Sequence, residues 1–297
     1  MANQELSGPA QFRRLLVLNQ LLVLPGVYNA LFARVMEDAG FPCIYMSGFS
    51  VATSVLGRPD LGMLGISDMA KQACHIVSAV KVPVLADANT GYGGIFSVRR
   101  TIEEYERVGL AGLHIEDQNL TTKRCGHLAE IEVVAPELML GRIRAALQAR
   151  RNDDFFIIAR TDARRPLGFE EALRRAKLYA REGVDAVFVE YLKDIDELRR
   201  VVDSVKIPVM TAVIDAEGMF SAADMLSAGV RIVLFPISVI NTTVAAAEKV
   251  AMTLRRHGTT RSLLEQMVNP SSLLRYIRYH EMSEWESQVQ VDPTKKS

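Results

Sequence analysis

Three cysteines in 297 residues, Cys43, Cys74 and Cys125, are too few and too scattered for a disulfide framework or a four-thiolate zinc site, so reduced thiols are expected. Charge of either sign is not in excess: 35 basic and 35 acidic side chains balance to a formal +0, which gives no electrostatic footprint for nucleic acid or a membrane surface. No apolar run approaches the roughly 18 residues a membrane span needs. The first residues lack the basic, apolar and small-residue regions of a secretory signal, which makes a soluble, cytoplasmic location the expectation. No Gly-x-Gly-x-x-Gly follows a strand pattern, which argues against a dinucleotide-binding open sheet.

What is present is a repeat of short, nearly continuous apolar runs, each followed by a segment with helical spacing. Parallel strands covered on both faces read this way. Eight runs are found: Leu21 to Leu24, Cys43 to Ser47, Val82 to Ala86, Gly112 to Glu116, Phe155 to Ala159, Ala186 to Glu190, Pro208 to Val213 and Ile232 to Phe235. Phe169 to Glu182 and Ile195 to Val205 are amphipathic, and Gly109, Gly183 and Gly229 sit where helix C-caps belong. Eight such units in one chain predict a single (β/α)8 TIM barrel over residues 1–297. Ser238 to His257 and Ser262 to Ser287 read as additional C-terminal helices, an extension over about 259–287 that suggests packing on another subunit, and the polar tail 288–297 reads as disordered.

A barrel keeps its chemistry at the C-terminal ends of its strands, so the polar residues that close each run are the informative ones. The second run ends at Tyr45-Met46-Ser47-Gly48, the third at Asp87-Ala88-Asn89, the fourth at His114-Ile115-Glu116-Asp117-Gln118, the fifth at Arg160-Thr161-Asp162 and the sixth at Glu190. Alternation along a strand puts Asp87 with Asn89, and His114 with Glu116, on common faces. With Asp60 from the loop after the second run, several carboxylates converge where like charges would repel without a cation. Oxygen donors without cysteine suit Mg²⁺, with Mn²⁺ an equally acceptable ion, and Mg²⁺ keeps waters and takes one or two carboxylates directly. Asp87 is the expected direct ligand, with Asp60, Asn89, His114 and Glu116 around the metal-bound water. Arg160 is expected to grip a substrate carboxylate bidentately or to pair with Asp162 or Glu190; Ser47 and the Gly48 backbone are further candidate donors. Cys43 and Cys74 read as inert core residues. The long loop Asn119 to Ala135 carries Lys123-Arg124-Cys125-Gly126-His127, where flanking cations and a nearby histidine favour a thiolate.

That pentapeptide, with Asp87 to Gly93 and Leu113 to Gln118, resembles the isocitrate lyase and phosphoenolpyruvate mutase superfamily, nearest its methylisocitrate lyase branch, from about Phe12 to the last helices. The resemblance implies the barrel, Mg²⁺ dependence, a lid closing on a small carboxylic acid, and a homotetramer that swaps its last barrel helix. It also implies retro-aldol cleavage of a 2-hydroxy acid into an oxo acid and a carboxylate, with Cys125 as the acid that protonates the carbanion. Arg160, Glu116 and His114 complete the expected catalytic set; Tyr45, Ser47, Gly48, Asp60, Lys123, Arg124, Gly126, His127 and Glu190 the substrate contacts. Four positions depart from the branch: Asn89 replaces an aspartate, Ala212 a polar amide, Asn241 an arginine, and Phe49 a glycine. Loss of the arginine and the amide disfavours a third carboxylate, so a malate-type dicarboxylate, 2-alkylated, is expected to be a better substrate than methylisocitrate. A carboxyphosphonoenolpyruvate-type phosphonomutase, an oxaloacetate-cleaving hydrolase and a barrel without catalysis are the competing readings.

Overall fold

The computed structural model describes residues 6–124, 130–214 and 220–290. Cys125, Gly126 and His127, and the tail from 291 onward, lie outside them. Eight parallel strands close into a barrel in sequence order: β1 (Leu22–Val27), β2 (Ile44–Met46), β3 (Val84–Asp87), β4 (Gly112–Glu116), β5 (Phe156–Thr161), β6 (Ala186–Val189), β7 (Val209–Ala212) and β8 (Ile232–Phe235). The predicted barrel is therefore present, with all eight strands at the expected places and ends displaced by up to three residues. The largest shift is β1, which runs on through Pro25 and Gly26 because Gly26 and Val27 still pair with Tyr45 and Met46. A Cβ on Gly26 would lie 2.4 Å from the Pro236 carbonyl oxygen, so only glycine lets these two strand ends approach.

Alternation sends Leu22, Leu24, Tyr45, Leu85, Phe156, Ile158, Phe188, Met210, Ile232 and Leu234 into the barrel, where they form one buried cluster. The intervening residues, such as Val187, Val189, Val209 and Val233, pack outward against the helices. An N-terminal helix not anticipated from the sequence, Gly8–Leu18, adds Phe12 to the interior cluster; its ring meets Phe156 edge-on at 5.1 Å. Gly109, Gly183 and Gly229 have φ of 86°, 93° and 81°, as expected of residues ending helices in the left-handed region. Cys43 is buried, and burial pushes its thiol up to about 12. Cys74 is exposed on the helix Ile66–Val77, which corrects its reading as a core residue.

The chain divides into two compact units, Met1–Ile240 and Asn241–Ser297. The first holds the barrel. In the second, the long helix Ser238–His257 continues, followed by a 3-10 segment Arg261–Gln266 and helices Pro270–Tyr276 and Tyr279–Val289. The expected continuous helix over 262–287 is thus broken twice. Pro270 takes a first-turn position, where its missing N–H costs nothing, and Arg278 turns with φ of 56°. The last helix reaches Val289, into the stretch read as a disordered tail.

Candidate active site

The C-terminal end of the barrel opens on a cavity of about 60 Å³ whose lining divides by chemistry. One side is charged: Asp60, Asp87, Glu116, Lys123, Arg160 and Glu190. The other is apolar, from Phe49, Ala212, Ile214, Leu234, Pro236 and Ile237. Register explains the charged side, because Asp87 pairs with His114 across β3 and β4, and Glu116 with Arg160 across β4 and β5. Side chains at paired positions in neighbouring parallel strands point to the same face.

Asn89 performs a backbone task beside these acids. Its φ is 48°, a conformation asparagine tolerates better than most residues. The turn lets Asn89 N donate to Asp87 Oδ1 at 2.7 Å while the Asn89 carbonyl accepts from Glu116 N at 2.9 Å. Two strand ends and both acids are thereby tied together. Tyr105 Oη donates to the Asp87 carbonyl at 2.9 Å from below.

Tyr45 Oη lies 2.8 Å from His114 Nε2, and the two rings stack at 5.7 Å. Burial pushes the His114 imidazole down to about 4, so it is neutral at pH 7. Its Nδ1 is 3.8 Å from Asp87 Oδ1 and makes no hydrogen bond among the described residues. Burial works against ionised Asp87, but His114, Lys123, Arg160 and the Asn89 N–H together hold it below the usual carboxylate range. Glu116 and Glu190 go the other way: burial outweighs the cations beside them and pushes each up to about 7.

Lys123 reaches the site from the loop after β4. It is 4% exposed, and its Nζ stands 3.3 Å from both Asp60 Oδ2 and Glu116 Oε1. Burial alone would lower this ammonium; Glu116, Asp60 and Asp87 outweigh it and raise it. Asp60 and Glu116 thus converge on a lysine, and among the described residues no three His, Cys, Asp or Glu side chains are grouped to hold a metal by themselves. The expected arrangement, Asp87 as direct ligand with Asp60, Asn89 and Glu116 around metal-bound water, does not require such a group. The site still fits a hard divalent ion that keeps its waters, since such an ion needs only one or two carboxylates. Asp87 is ionised and faces the cavity, and the buried Asn89 Oδ1 lacks a hydrogen-bond partner among the described residues.

Arg160 takes the second of its two expected roles, an ion pair with Asp162. Its Nε and Nη2 grip Asp162 at 2.7 and 3.2 Å, its guanidinium lies over the Phe188 ring at 5.0 Å, and Glu116 and Glu190 stand 3.5 Å away. The bidentate edge is therefore taken by Asp162, and a substrate carboxylate meets the remaining edge only. Ser47 is the N-cap of the helix Gly48–Leu56, its Oγ accepting from Ser50 N at 3.3 Å, so the cavity faces a helix N-terminus. Arg124 borders the site through its backbone N–H, which donates to Gln118 Oε1 at 3.1 Å.

Three features escaped sequence reasoning. Gln118 lines the cavity and donates to Asp162 through a short hydrogen bond. Phe188 lines it too, and strand alternation from Glu190 is the signal that could have found it. Behind β4 and β5, the buried Asp117 carboxylate accepts from Thr161 Oγ1 (2.7 Å), Asp162 N, Arg175 Nη1 and Tyr179 Oη (each 2.9 Å). Arg175 also donates to the Val134 carbonyl, and Arg142 to the carbonyls of Glu116 and Gln118, which pins both roots of the Lys123 loop.

This chain is similar to known proteins in sequence and in fold. The family described as phosphoenolpyruvate phosphomutase matches residues 12–255. A 2-methylisocitrate lyase of Shewanella oneidensis is 38% identical over 276 residues, 92% of this chain and 94% of that protein. The solved structure of oxaloacetate acetylhydrolase with 3,3-difluorooxalacetate superposes with a TM-score of 0.91 at 34% identity, covering 97% of this chain and 98% of that one. A 2,3-dimethylmalate lyase, described as a PEP mutase/isocitrate lyase superfamily member, gives 0.90 at 35% identity with 98% of each chain covered.

Proposed function

The chain belongs to the phosphoenolpyruvate phosphomutase family, and from that premise we propose that it is a carbon–carbon bond lyase. Its substrate is a 2-hydroxy di- or tricarboxylate of the 2-alkylmalate or methylisocitrate type, and its products are a 2-oxo acid and a carboxylate such as succinate. The observation that carries this reading is the pairing, in one cavity, of ionised Asp87 with Lys123 and Arg160 opposite a wall of apolar side chains. Relatives named for methylisocitrate and dimethylmalate cleavage support it.

Within this reading Asp87 would hold Mg²⁺, with Asp60, Asn89 and Glu116 hydrogen-bonding to its waters. When bound, the ion supplies Lewis-acid stabilisation of the charge that develops on substrate oxygens. The protein's own groups do the rest. Lys123 and the free edge of Arg160 attract the carboxylates, and Ser47 and Gly48 present a helix N-terminus to them. Neutral His114, hydrogen-bonded to Tyr45, stands behind Asp87 with Nδ1 3.8 Å from Oδ1 and helps hold that acid in place. The C2 hydroxyl passes its proton to the Glu116 carboxylate, which lines the cavity, the C2–C3 bond breaks with its electron pair passing to C3, and the Cys125 thiol protonates C3. Arg124, Gly126 and His127 flank that thiol, and Glu190 fixes Arg160 from the far side.

The proposal extends to a cytoplasmic homotetramer in which 1–297 is one barrel domain and the 259–287 extension meets a neighbouring copy. Exposed Leu264, Val268, Met282 and Trp285 support such a contact. Among the described residues no helix is long and apolar enough to cross a membrane. A panel of alkylmalates, methylisocitrate, isocitrate, oxaloacetate and phosphonopyruvate, assayed with Mg²⁺ and with chelator, tests the function. Chelator-sensitive release of a 2-oxo acid from an alkylmalate is expected. Preferential turnover of oxaloacetate would favour the hydrolase, to whose structure this chain is similar, and rearrangement of phosphonates would favour a mutase.

A further inference from the structure

Three acids face the Arg160 guanidinium, and which of them takes its paired edge decides where the other edge points. Asp162 takes it at 2.7 and 3.2 Å, while Glu116 and Glu190 stand off at 3.5 Å. Asp162 has a neutral donor besides the arginine: Gln118 Nε2 hydrogen-bonds to Oδ2, the oxygen that also accepts from Arg160 Nη2. Both ends of that carboxamide are committed. Its Oε1 accepts from the Arg124 backbone N–H at 3.1 Å, a group that can only donate, so the amide orientation is fixed with Nε2 toward the carboxylate. Gln118 is 1% exposed, its carbonyl accepts from Arg142 Nη1 at 2.9 Å, and its backbone bridges to Val133. Asp162 is as firmly placed, buried and with its N–H donating to Asp117 Oδ1 at 2.9 Å.

We propose that Gln118 is a positioning residue for carboxylate recognition: by fixing Asp162 it keeps the remaining edge of the Arg160 guanidinium turned to the cavity. The inference rests on the lyase reading, in which that edge meets a substrate carboxylate. A guanidinium and a carboxylate pair in one plane, so a fixed carboxylate plane fixes the guanidinium plane. The terminal torsion of an aspartate is broad and roughly two-fold, and by itself holds no plane. Three hydrogen bonds hold this one, two from Arg160 and one from Gln118. Without the Gln118 donor the carboxylate is held by the arginine alone. The pair can then turn together, and Glu116 and Glu190 are near enough to draw the guanidinium away. The loss falls on ligand binding, beyond any loss of stability.

The test uses the full chain and calorimetric binding of succinate and of oxalate in Mg²⁺, with Mg²⁺ binding alone as the control. Gln118→Met keeps the volume without the donor, and Gln118→Asn keeps the carboxamide but falls one methylene short of Asp162. Each is expected to weaken dicarboxylate binding about ten-fold, the equivalent of about 1.4 kcal/mol, and to leave Mg²⁺ affinity within about two-fold. Arg160→Lys keeps the charge and loses the planar fork. Because Gln118 acts through that fork, adding Gln118→Met to Arg160→Lys should cost less than about two-fold more, the non-additivity of coupled residues. Equal losses in the two backgrounds, parent-like binding by both Gln118 variants, Mg²⁺ affinity falling in step with the dicarboxylate, failure of both variants to fold, or a parent that binds neither probe overturns the proposal. Because binding is read without turnover, absence of lyase activity on every alkylmalate would count against the function and leave the coupling result standing.

Discussion

Gly48 lies so close to the Asp87 carboxylate that a Cβ added to it would come within 2.6 Å of Asp87 Oδ2. The glycine owes its place to this approach, since its backbone is helical and would accept any residue. The start of the helix Gly48–Leu56 is packed onto the acid proposed to hold the metal. Gly48→Ala is therefore expected to displace Asp87, weaken Mg²⁺ binding in calorimetry by ten-fold or more, on the order of 1.4 kcal/mol, and leave the melting temperature nearly unchanged. Wild-type Mg²⁺ affinity would show that Asp87 is not the ligand.

Cys125 carries the proton-donating step of the proposed reaction. General acid help is worth about 10² to 10⁴ in rate, so Cys125→Ser should lower kcat by that factor, about 3 to 5 kcal/mol at the transition state. Binding of a non-cleavable dicarboxylate should persist. Near-wild-type turnover by the serine variant removes Cys125 from the mechanism.

Glu190 links the site to stability. Its carboxyl is pushed up to about 7 by burial, from an ordinary value of 4.5. A raised acid binds its proton more tightly in the folded chain, so its contribution to stability is fully present below about pH 4.5 and is lost as the pH rises to about 7. Glu190→Gln keeps the neutral shape at every pH. In metal-free protein the variant should match the parent near pH 4.5 and melt a few degrees higher at pH 8. Equal melting temperatures across that window would mean that Arg160 fully offsets the buried charge.

Asp117 holds Arg175 in a fully buried pair. Removing one partner of such a pair typically costs roughly 3–5 kcal/mol, and Asp117→Ala should lower the melting temperature by roughly 10 °C. Tyr179→Phe removes one of four donors and should cost about 1 kcal/mol. Thermal melts of the two variants check the ratio. A mild Asp117→Ala would show that water replaces the carboxylate.

Much of this molecule could be read before its coordinates. Short continuous apolar runs such as Ile232 to Phe235 read as strands covered on both sides, and eight of them with helical segments between predict the barrel. Strand alternation and the rule that barrels work at strand ends singled out Tyr45, Asp87, His114, Glu116, Arg160 and Glu190, and all but His114 line the cavity, which His114 borders through Tyr45. The long-range ties were not legible. Nothing in the spacing of Asp117, Arg175 and Tyr179 says that they meet, because helix and strand are 58 residues apart for the Asp117–Arg175 bond.

The amino-acid order by itself settled the fold class and picked out the polar residues that close each strand, because burial periodicity and the residue types closing each run are local properties. Only the tertiary structure decided which charge meets which. It gave Arg160's paired edge to Asp162, set Lys123 between Asp60 and Glu116 and pressed Gly48 onto Asp87. Each of these depends on distances across the barrel mouth, which closure of the sheet fixes and the order of residues along the chain does not.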